Sequence, residues 1–293
     1  MADMLLSAAL VFAPFPWAGL LAPAQDPAPV PVPALTSAER LETSPRHHEW
    51  VDVPVSLARK VRAFVVYPES AVARSVVLII HENRGLNDWA RAFADQVAEA
   101  GYIAVAPDLL SGLGPEGGGT AALASSDAAR TALYELKPEQ VLADLDAAIA
   151  YAKKIESANG QVVAAGFCWG GSQSFRLACH SKEIAAAMVF YGSAPSEAAE
   201  LRGITAPVYG FYGENDARIS AKIPDLAVQL KELGRSFEAV VYPGAGHAFM
   251  RSGETPEGGS ANVAARGQAW QRMLSLLEKH SPNPEGSKGL PKQ

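Results

Sequence analysis

Runs of apolar, β-branched residues alternate with amphipathic segments along most of this 293-residue chain, and the alternation limits the folds that it can adopt. The run Val76–Ile80 has the sequence VVLII, which is typical of a strand buried on both faces. Strands and helices that alternate in this way form a mostly parallel sheet with helices on both faces. The sequence therefore predicts an α/β fold whose functional loops follow the carboxyl ends of the strands.

The individual elements are predicted from the apolar pattern and from Gly and Pro breakers. Strands are predicted at Val51–Val55, Val61–Tyr67, Val76–Ile80, Tyr102–Ala106, Val162–Gly166, Ala186–Tyr191, Val208–Tyr212 and Ala239–Tyr242. Helices are predicted at Trp89–Ala100, Pro138–Ser157 (ended by Asn159 and Gly160), from Gly171 onward, Ala221–Leu233 and Ala261–Lys279. We expect the first two strands to form an antiparallel pair at one edge of the sheet.

The N-terminus differs from the rest of the chain. Residues Leu5–Leu21 are almost wholly apolar and lead to Ala22-Pro23-Ala24, a small-x-small pattern that favours a signal peptide at residues 1–24. The first residues carry Asp3 and no basic residue, which is unusual for such a signal, and a disordered or interfacial extension is the alternative. We expect an exported protein, periplasmic or secreted, with no stable membrane span after cleavage; an uncleaved leader would indicate a cytoplasmic protein.

The remaining boundaries follow from composition. Residues 25–47 are Pro-rich at their start and are interpreted as an extended spacer, and residues 281–293 as a flexible tail. A single domain is predicted over residues 48–280. The net charge of −6 argues against nucleic-acid binding, and we expect a monomer that acts on a small molecule.

Two cysteines are too few for a disulfide scaffold or for a four-cysteine zinc site. Cys168 and Cys179 are eleven residues apart, which on one helix is about 16 Å and beyond disulfide reach. Cys179 is therefore predicted to be a packed thiol. Cys168 lies in Gly166-Phe167-Cys168-Trp169-Gly170-Gly171, a strand-to-helix turn with the pattern of a nucleophile elbow. The alternative interpretation is a buried structural cysteine in an ordinary turn.

Two later loops supply candidate partners for this cysteine. Asp216 follows the strand that ends at Tyr212, with Glu214 as the fallback acid, and His247 follows the strand that ends at Tyr242. The chain order of nucleophile, acid and histidine is that of α/β-hydrolases. A capping role for the acid and a solvated loop histidine are the alternatives.

The loop after Val76–Ile80 begins His81-Glu82-Asn83-Arg84-Gly85. It is not the zinc motif H-E-x-x-H, because Gly85 occupies the position of the second histidine. The backbone N–H groups of Asn83 and Trp169 are the predicted oxyanion hole, and Glu82 is an acid within reach of the thiol. A helix cap or a salt bridge is the alternative role for Glu82.

Together these motifs resemble the dienelactone hydrolase family over about Val51–Lys279. The resemblance implies an α/β-hydrolase fold and a triad of Cys168, Asp216 and His247. It also implies that Glu82 pairs with the nucleophile and helps to deprotonate it when substrate arrives, and that the substrate carboxylate is held by Arg251, Arg130 and Tyr134.

The resemblance and the chemistry predict hydrolysis of an ester or enol-lactone through a covalent thioester, with no cofactor and no metal. A broad carboxylesterase or thioesterase on the same fold, and a non-catalytic binding protein, are the alternatives. The literal G-x-G-x-x-G at Gly112–Gly117 contains a Pro and does not open a helix, so it does not indicate dinucleotide binding.

Overall fold

A computed structural model describes residues 36–280 of the protein. The predicted signal peptide, the first part of the predicted spacer and the tail at 281–293 lie outside the described residues. None of the helices within the described part has the length and apolar character needed to cross a membrane.

Eight strands form one sheet in the order β1-β2-β4-β3-β5-β6-β7-β8. The strands are β1 His48–Pro54, β2 Lys60–Val66, β3 Arg74–Ile80, β4 Ile103–Asp108, β5 Ala158–Phe167, β6 Ala186–Phe190, β7 Val208–Gly213 and β8 Phe237–Tyr242. The pairs β1–β2 and β2–β4 are antiparallel, and every other neighbouring pair is parallel. The prediction of eight strands with an antiparallel pair at one edge is confirmed.

Helices cover both faces of this sheet. They are α1 Ser37–Thr43, α2 Asp88–Glu99, α3 Ser126–Glu135, α4 Pro138–Ala152, α5 Trp169–His180, α6 Ala198–Leu201, α7 Ala217–Ser220, α8 Ile223–Glu232, α9 Phe249–Ser252 and α10 Ser260–His280, with 3-10 turns at Pro115–Gly117, Thr120–Ala122 and Pro256–Gly258. One apolar core lies between the sheet and α4, α5 and α8, and a second lies between the sheet and α2 and α10. This is the α/β-hydrolase fold that the motifs implied.

One helix lies where an extended spacer was predicted. Helix α1 begins with a capping box between Thr36 and Glu39. Arg40 and Arg46 each form a 2.7 Å ion pair with the buried Asp95 of α2. The last part of the 25–47 segment is therefore attached to the sheet-covering helices, a long-range contact that the local Pro-rich composition does not reveal.

The end of α4 differs from its prediction. The helix ends at Ala152, and Asn159 and Gly160 lie inside β5 instead of ending the helix. The reason is tertiary: Ala158 pairs with Arg74 of β3, and the Asn159 side chain donates to Ser75 at 2.9 Å. Pairing with the neighbouring strand therefore extends β5 toward its N-terminus.

Candidate active site

Cys168 lies in the sharp turn between β5 and α5, and two glycines make this turn possible. Its backbone has φ 55° and ψ −116°, which residues other than glycine rarely adopt. A Cβ atom on Gly166 would lie 2.0 Å from the carbonyl oxygen of Gly170, and one on Gly170 would lie 2.2 Å from that of Ile80. Strand and helix therefore approach too closely for side chains at these positions, and the strained turn presents the thiol at the carboxyl edge of the sheet.

The structure brings together the three residues predicted from separate loops. The Sγ atom of Cys168 lies 3.1 Å from Nε2 of His247, and Nδ1 of His247 lies 2.5 Å from Oδ2 of Asp216. Asp216 is buried, while 32% of the His247 side chain is exposed. A nucleophile, a base and an acid that orients the base are connected in this order in enzymes that use covalent catalysis.

Strand pairing explains why these loops meet. The ends of β7 and β8 are paired at Gly213 and Tyr242, so the loops that follow them start side by side. Glu214, the fallback acid, is exposed, and its carboxylate accepts the N–H of Gly244 at 2.8 Å. Glu214 thus connects the two loops, while Asp216 is the acid that contacts the imidazole.

The surroundings of His247 change its protonation. Burial lowers the pKa of His247, but the hydrogen bonds and negative charges of Cys168 and Asp216 outweigh burial and raise this pKa to about 9. The site therefore favours the imidazolium form of His247 near neutral pH.

Cys179 has a different environment. Both cysteines are free, which confirms that they do not form a disulfide. Cys179 packs against the core on α5, and burial raises the pKa of its thiol to about 12. A thiol with so high a pKa is unreactive near neutral pH, as expected for a packing residue.

Glu82 is buried beside the triad but is held by other partners than the resemblance implied. Its carboxylate accepts from the Tyr191 hydroxyl at 3.1 Å and from Nε of Arg251 at 2.9 Å. The thiol of Cys168, with which Glu82 was expected to pair, has its hydrogen bond with His247. Glu82 and Arg251 therefore form an ion pair in the wall of the site.

Tyr191 was not singled out from the sequence. It follows β6 with φ 42°, and its ring packs edge-on against that of His247 at 5.1 Å between centroids. The sequence feature that could have indicated Tyr191 is its position at the carboxyl end of a predicted buried strand. An aromatic residue at such a position is more often core than site, so the signal was weak.

A cavity of about 260 Å³ opens at the thiol. It is lined by Glu82, Asn83, Arg84, Ser126, Asp127, Arg130, Cys168, His247, Ala248 and Arg251. Three larger surface grooves of about 510 to 660 Å³ do not include Cys168 in their lining. The smaller cavity is the candidate active site because it alone among these four holds the thiol and the imidazole.

The predicted substrate-binding residues do not all reach this cavity. Arg251 and Arg130 line it, and Arg130 forms a 3.1 Å ion pair with Asp127. Tyr134 is 64% exposed and is absent from the lining formed by the described residues. Tyr134 lies on the same face of α3 as Arg130 but one turn further along the helix, where its ring is exposed, so its expected role is not supported.

Asn83 and Trp169, the predicted oxyanion pair, flank the thiol. Asn83 lines the cavity, and Trp169 is the first residue of α5, where backbone N–H groups have no acceptor within the helix. The ring of the buried His81 stacks on that of Trp169 with 5.9 Å between the ring centroids, and Nε2 of His81 accepts a hydrogen bond from the N–H of Leu109 at 3.3 Å. Burial lowers the pKa of His81, so a neutral imidazole supports this loop.

The fold and the site define an α/β-hydrolase with a cysteine in the elbow. Residues 61–281 match the sequence model of the dienelactone hydrolase family. The chain belongs to this family and is a hydrolase.

Relatives are similar over most of the chain. A Saccharolobus solfataricus protein, provisionally named a carboxymethylenebutenolidase, is 29% identical over 76% of this chain and 95% of its own. An Escherichia coli K12 protein with the same provisional name is 29% identical over 70% of this chain and 77% of its own. The crystal structure of a provisionally named dienelactone hydrolase from Klebsiella pneumoniae has a TM-score of 0.68 and 25% identity, covering 78% of this chain and 97% of that one.

Proposed function

We propose that this hydrolase cleaves a small ester or enol-lactone through a Cys168-His247-Asp216 triad. The observation that carries the proposal is the unbroken line of contacts, 3.1 Å and 2.5 Å long, from the thiol through the imidazole to the buried carboxylate. An activated thiolate at a cavity needs such a base and such an orienting acid. The family and the names of the relatives agree with this reaction class.

Acylation uses the imidazolium as an acid. The thiolate of Cys168 attacks the carbonyl carbon, and the electron pair of the carbonyl double bond moves to its oxygen. The N–H groups of Asn83 and Trp169 stabilise that oxyanion, an effect worth about 3–4 kcal/mol per donor in comparable sites. The intermediate then expels the ester oxygen, which takes the proton from Nε2 of His247, and an acyl thioester remains.

Deacylation reverses these roles. His247 removes a proton from water, and the oxygen of that water attacks the thioester carbonyl. The carbon–sulfur bond breaks and the thiolate of Cys168 leaves, so a carboxylic acid is released and the imidazolium–thiolate pair is restored. Because a thiolate leaves more readily than an amide nitrogen, this site suits esters and lactones better than peptides.

The cavity indicates a small substrate with an anionic group. Its volume of about 260 Å³ is below the ordinary range for drug-sized ligands. Three arginine side chains line it, at Arg84, Arg130 and Arg251, against two acids at Glu82 and Asp127. The excess of positive charge favours an acyl group that carries a carboxylate, as in a dienelactone-like substrate.

A hydrolysis panel separates this substrate class from a broad carboxylesterase. We expect Arg251→Ala to raise KM for a carboxylated lactone about 10-fold or more, because a charged hydrogen bond is lost, and to change KM for a neutral aryl ester much less. The control is Arg202→Ala, which removes an exposed arginine that does not line the cavity. Equal effects of Arg251→Ala on both substrates would favour the broad esterase.

The pKa of His247 sets the alkaline limit of activity. The imidazolium is the acid that protonates the leaving oxygen, and it loses its proton as the pH rises through about 9. We therefore expect kcat/KM for a chemically stable aryl ester to be retained below this pH and to fall above it. A profile that keeps rising through pH 10 would contradict the role of His247 as the acid.

Export and a monomeric state are part of the same proposal and come from the sequence alone. N-terminal sequencing of the mature protein is expected to start at Gln25. An intact Met1 in the mature protein would contradict cleavage, and light scattering tests the monomer.

A further inference from the structure

The start of α10 contacts the loop that carries His247 at two points. Oδ1 of Asn262 accepts the N–H of Gly246 at 2.9 Å, and Nε of Arg266 donates to the carbonyl of Met250 at 3.1 Å. Asn262 and Arg266 are four residues apart, so they lie on the same face of the helix. Their two bonds enclose the segment from Gly246 to Met250.

We propose that Asn262 and Arg266 are positioning residues that hold the imidazole of His247 against the thiol of Cys168. The inference rests on the proposed function in one respect, since it takes the side chains of Cys168 and His247 as the reacting pair. Neither Asn262 nor Arg266 lines the cavity with Cys168, so both act through the loop and not on the substrate.

The loop needs external support because its own conformation is strained. Ala248, the residue after His247, has φ 60°, a left-handed conformation that disfavours any residue with a Cβ. Helix α9, which follows, is only four residues long and is too short to be stable by itself. Tertiary contacts must therefore fix the position of the imidazole.

Of the two side chains, Asn262 forms the shorter hydrogen bond to the loop, 2.9 Å against 3.1 Å for Arg266. Its Nδ2 also donates to the carbonyl of Gly258 at 2.7 Å, so both ends of the amide are bonded. A Cβ atom on Gly253 would lie 2.2 Å from the backbone oxygen of Asn262, so the end of α9 packs directly on the backbone of α10. A short side chain with one acceptor and one donor is what this narrow space admits.

Arg266 is a buried cation, with 2% exposure. It lies 3.5 Å from the Glu254 carboxylate and donates to the side chain of Gln96. A buried Arg–Glu pair adds little net stability, because the cost of removing both charges from water offsets their attraction. The specific contribution of Arg266 is a fixed donor for the carbonyl of Met250, which lies next to Arg251 in the wall of the site.

A merely structural role for Asn262 predicts a different result from a positioning role. If the contacts only attach α10 to the domain, their loss lowers the melting temperature but leaves the thiol equally reactive in the folded protein. If they hold the imidazole, the thiol loses the partner that stabilises its thiolate, and its reactivity near neutral pH falls.

The test is the rate of alkylation by iodoacetamide at pH 7, well below the melting temperature, in the full chain. We compare the wild type, Asn262→Ala, Asn262→Asp and Gln268→Ala by peptide mass. Asn262→Asp keeps the acceptor for Gly246 N–H, and Gln268→Ala removes an exposed amide from the same helix. Cys179, half-buried and with a raised pKa, is the internal reference.

We expect Asn262→Ala to lower the alkylation rate of Cys168 about 10-fold, toward that of a thiol that is only a few per cent ionised. Asn262→Asp should stay within about 2-fold of the wild type, and Gln268→Ala should be unchanged. A wild-type rate in Asn262→Ala overturns the proposal. Equal losses in the Ala and Asp variants overturn it as well, since the bond to Gly258 would then be the one that matters.

Arg266→Lys supplies an independent variant. It keeps the charge beside Glu254 but removes the planar donor group that reaches Met250, and it should lower kcat for ester hydrolysis more than it changes KM. An unchanged kcat in a folded Arg266→Lys protein would contradict the positioning role proposed for Arg266. Alkylation needs no ester, so a wild type without hydrolytic activity would refute the proposed function while leaving the positioning test intact.

Discussion

Replacing Cys168 by alanine is expected to lower kcat/KM for ester hydrolysis by at least about 10⁴-fold, since removal of a covalent nucleophile has cost about 10⁶-fold in a comparable triad. The thiol is the group that contacts His247 at the cavity, and an alanine offers no atom to attack the carbonyl. Hydrolysis of an aryl ester, followed by its absorbance, measures the loss.

Two further measurements make this prediction specific to Cys168. A slowly hydrolysed ester should add one acyl mass to the wild type at Cys168, and the adduct should be absent from Cys168→Ala. Cys179→Ala is the matched control, because it removes the other free thiol, which packs against the core away from the triad. Undiminished hydrolysis by Cys168→Ala would refute the covalent mechanism.

Replacing Asp216 by asparagine is expected to lower kcat by about 10³- to 10⁴-fold, as the equivalent change does in a serine protease triad. The carboxylate lies 2.5 Å from Nδ1 of His247, where it selects the tautomer and stabilises the imidazolium. Its charge also helps to raise the pKa of His247, so the alkaline limit of the pH profile should move below pH 9 in the variant.

Glu214→Gln is the control for that experiment. Glu214 precedes Asp216 by two residues in the same loop and binds the N–H of Gly244 instead of the imidazole. We expect this variant to keep kcat within a few-fold, because an amide oxygen still accepts from that N–H. If Glu214→Gln caused the larger loss, the assignment of the acid would be reversed.

The elements of the sheet were predictable because their signals are local. The run Val76–Ile80 is apolar at every position, and the structure buries it completely within β3. The elbow around Cys168 was predictable for a related reason: Gly166 and Gly170 are needed wherever a strand and a helix meet so closely. In both cases, a few neighbouring residues carry the whole signal.

Contacts between residues that are distant in the sequence were harder to predict from the sequence. Helix α1 and the residues that follow it are bound through Arg40 and Arg46 to Asp95, about fifty residues away, and no local sequence pattern predicts such a contact. The partners of Glu82 are also distant in the sequence, because Tyr191 follows β6 and Arg251 lies on α9. The family resemblance predicted that Glu82 lies in the site, but not that Arg251 would hold its carboxylate.

By itself, the sequence determined the α/β architecture and the order of the loops that carry Cys168, Asp216 and His247. It did so because parallel strands place the loops after their carboxyl ends at one edge, whatever the details of packing. The tertiary structure alone decided that Tyr191 and Arg251 hold the carboxylate of Glu82, and that Tyr134 points to solvent. These outcomes depend on the direction of single side chains, which packing against distant residues sets and apolar periodicity does not encode.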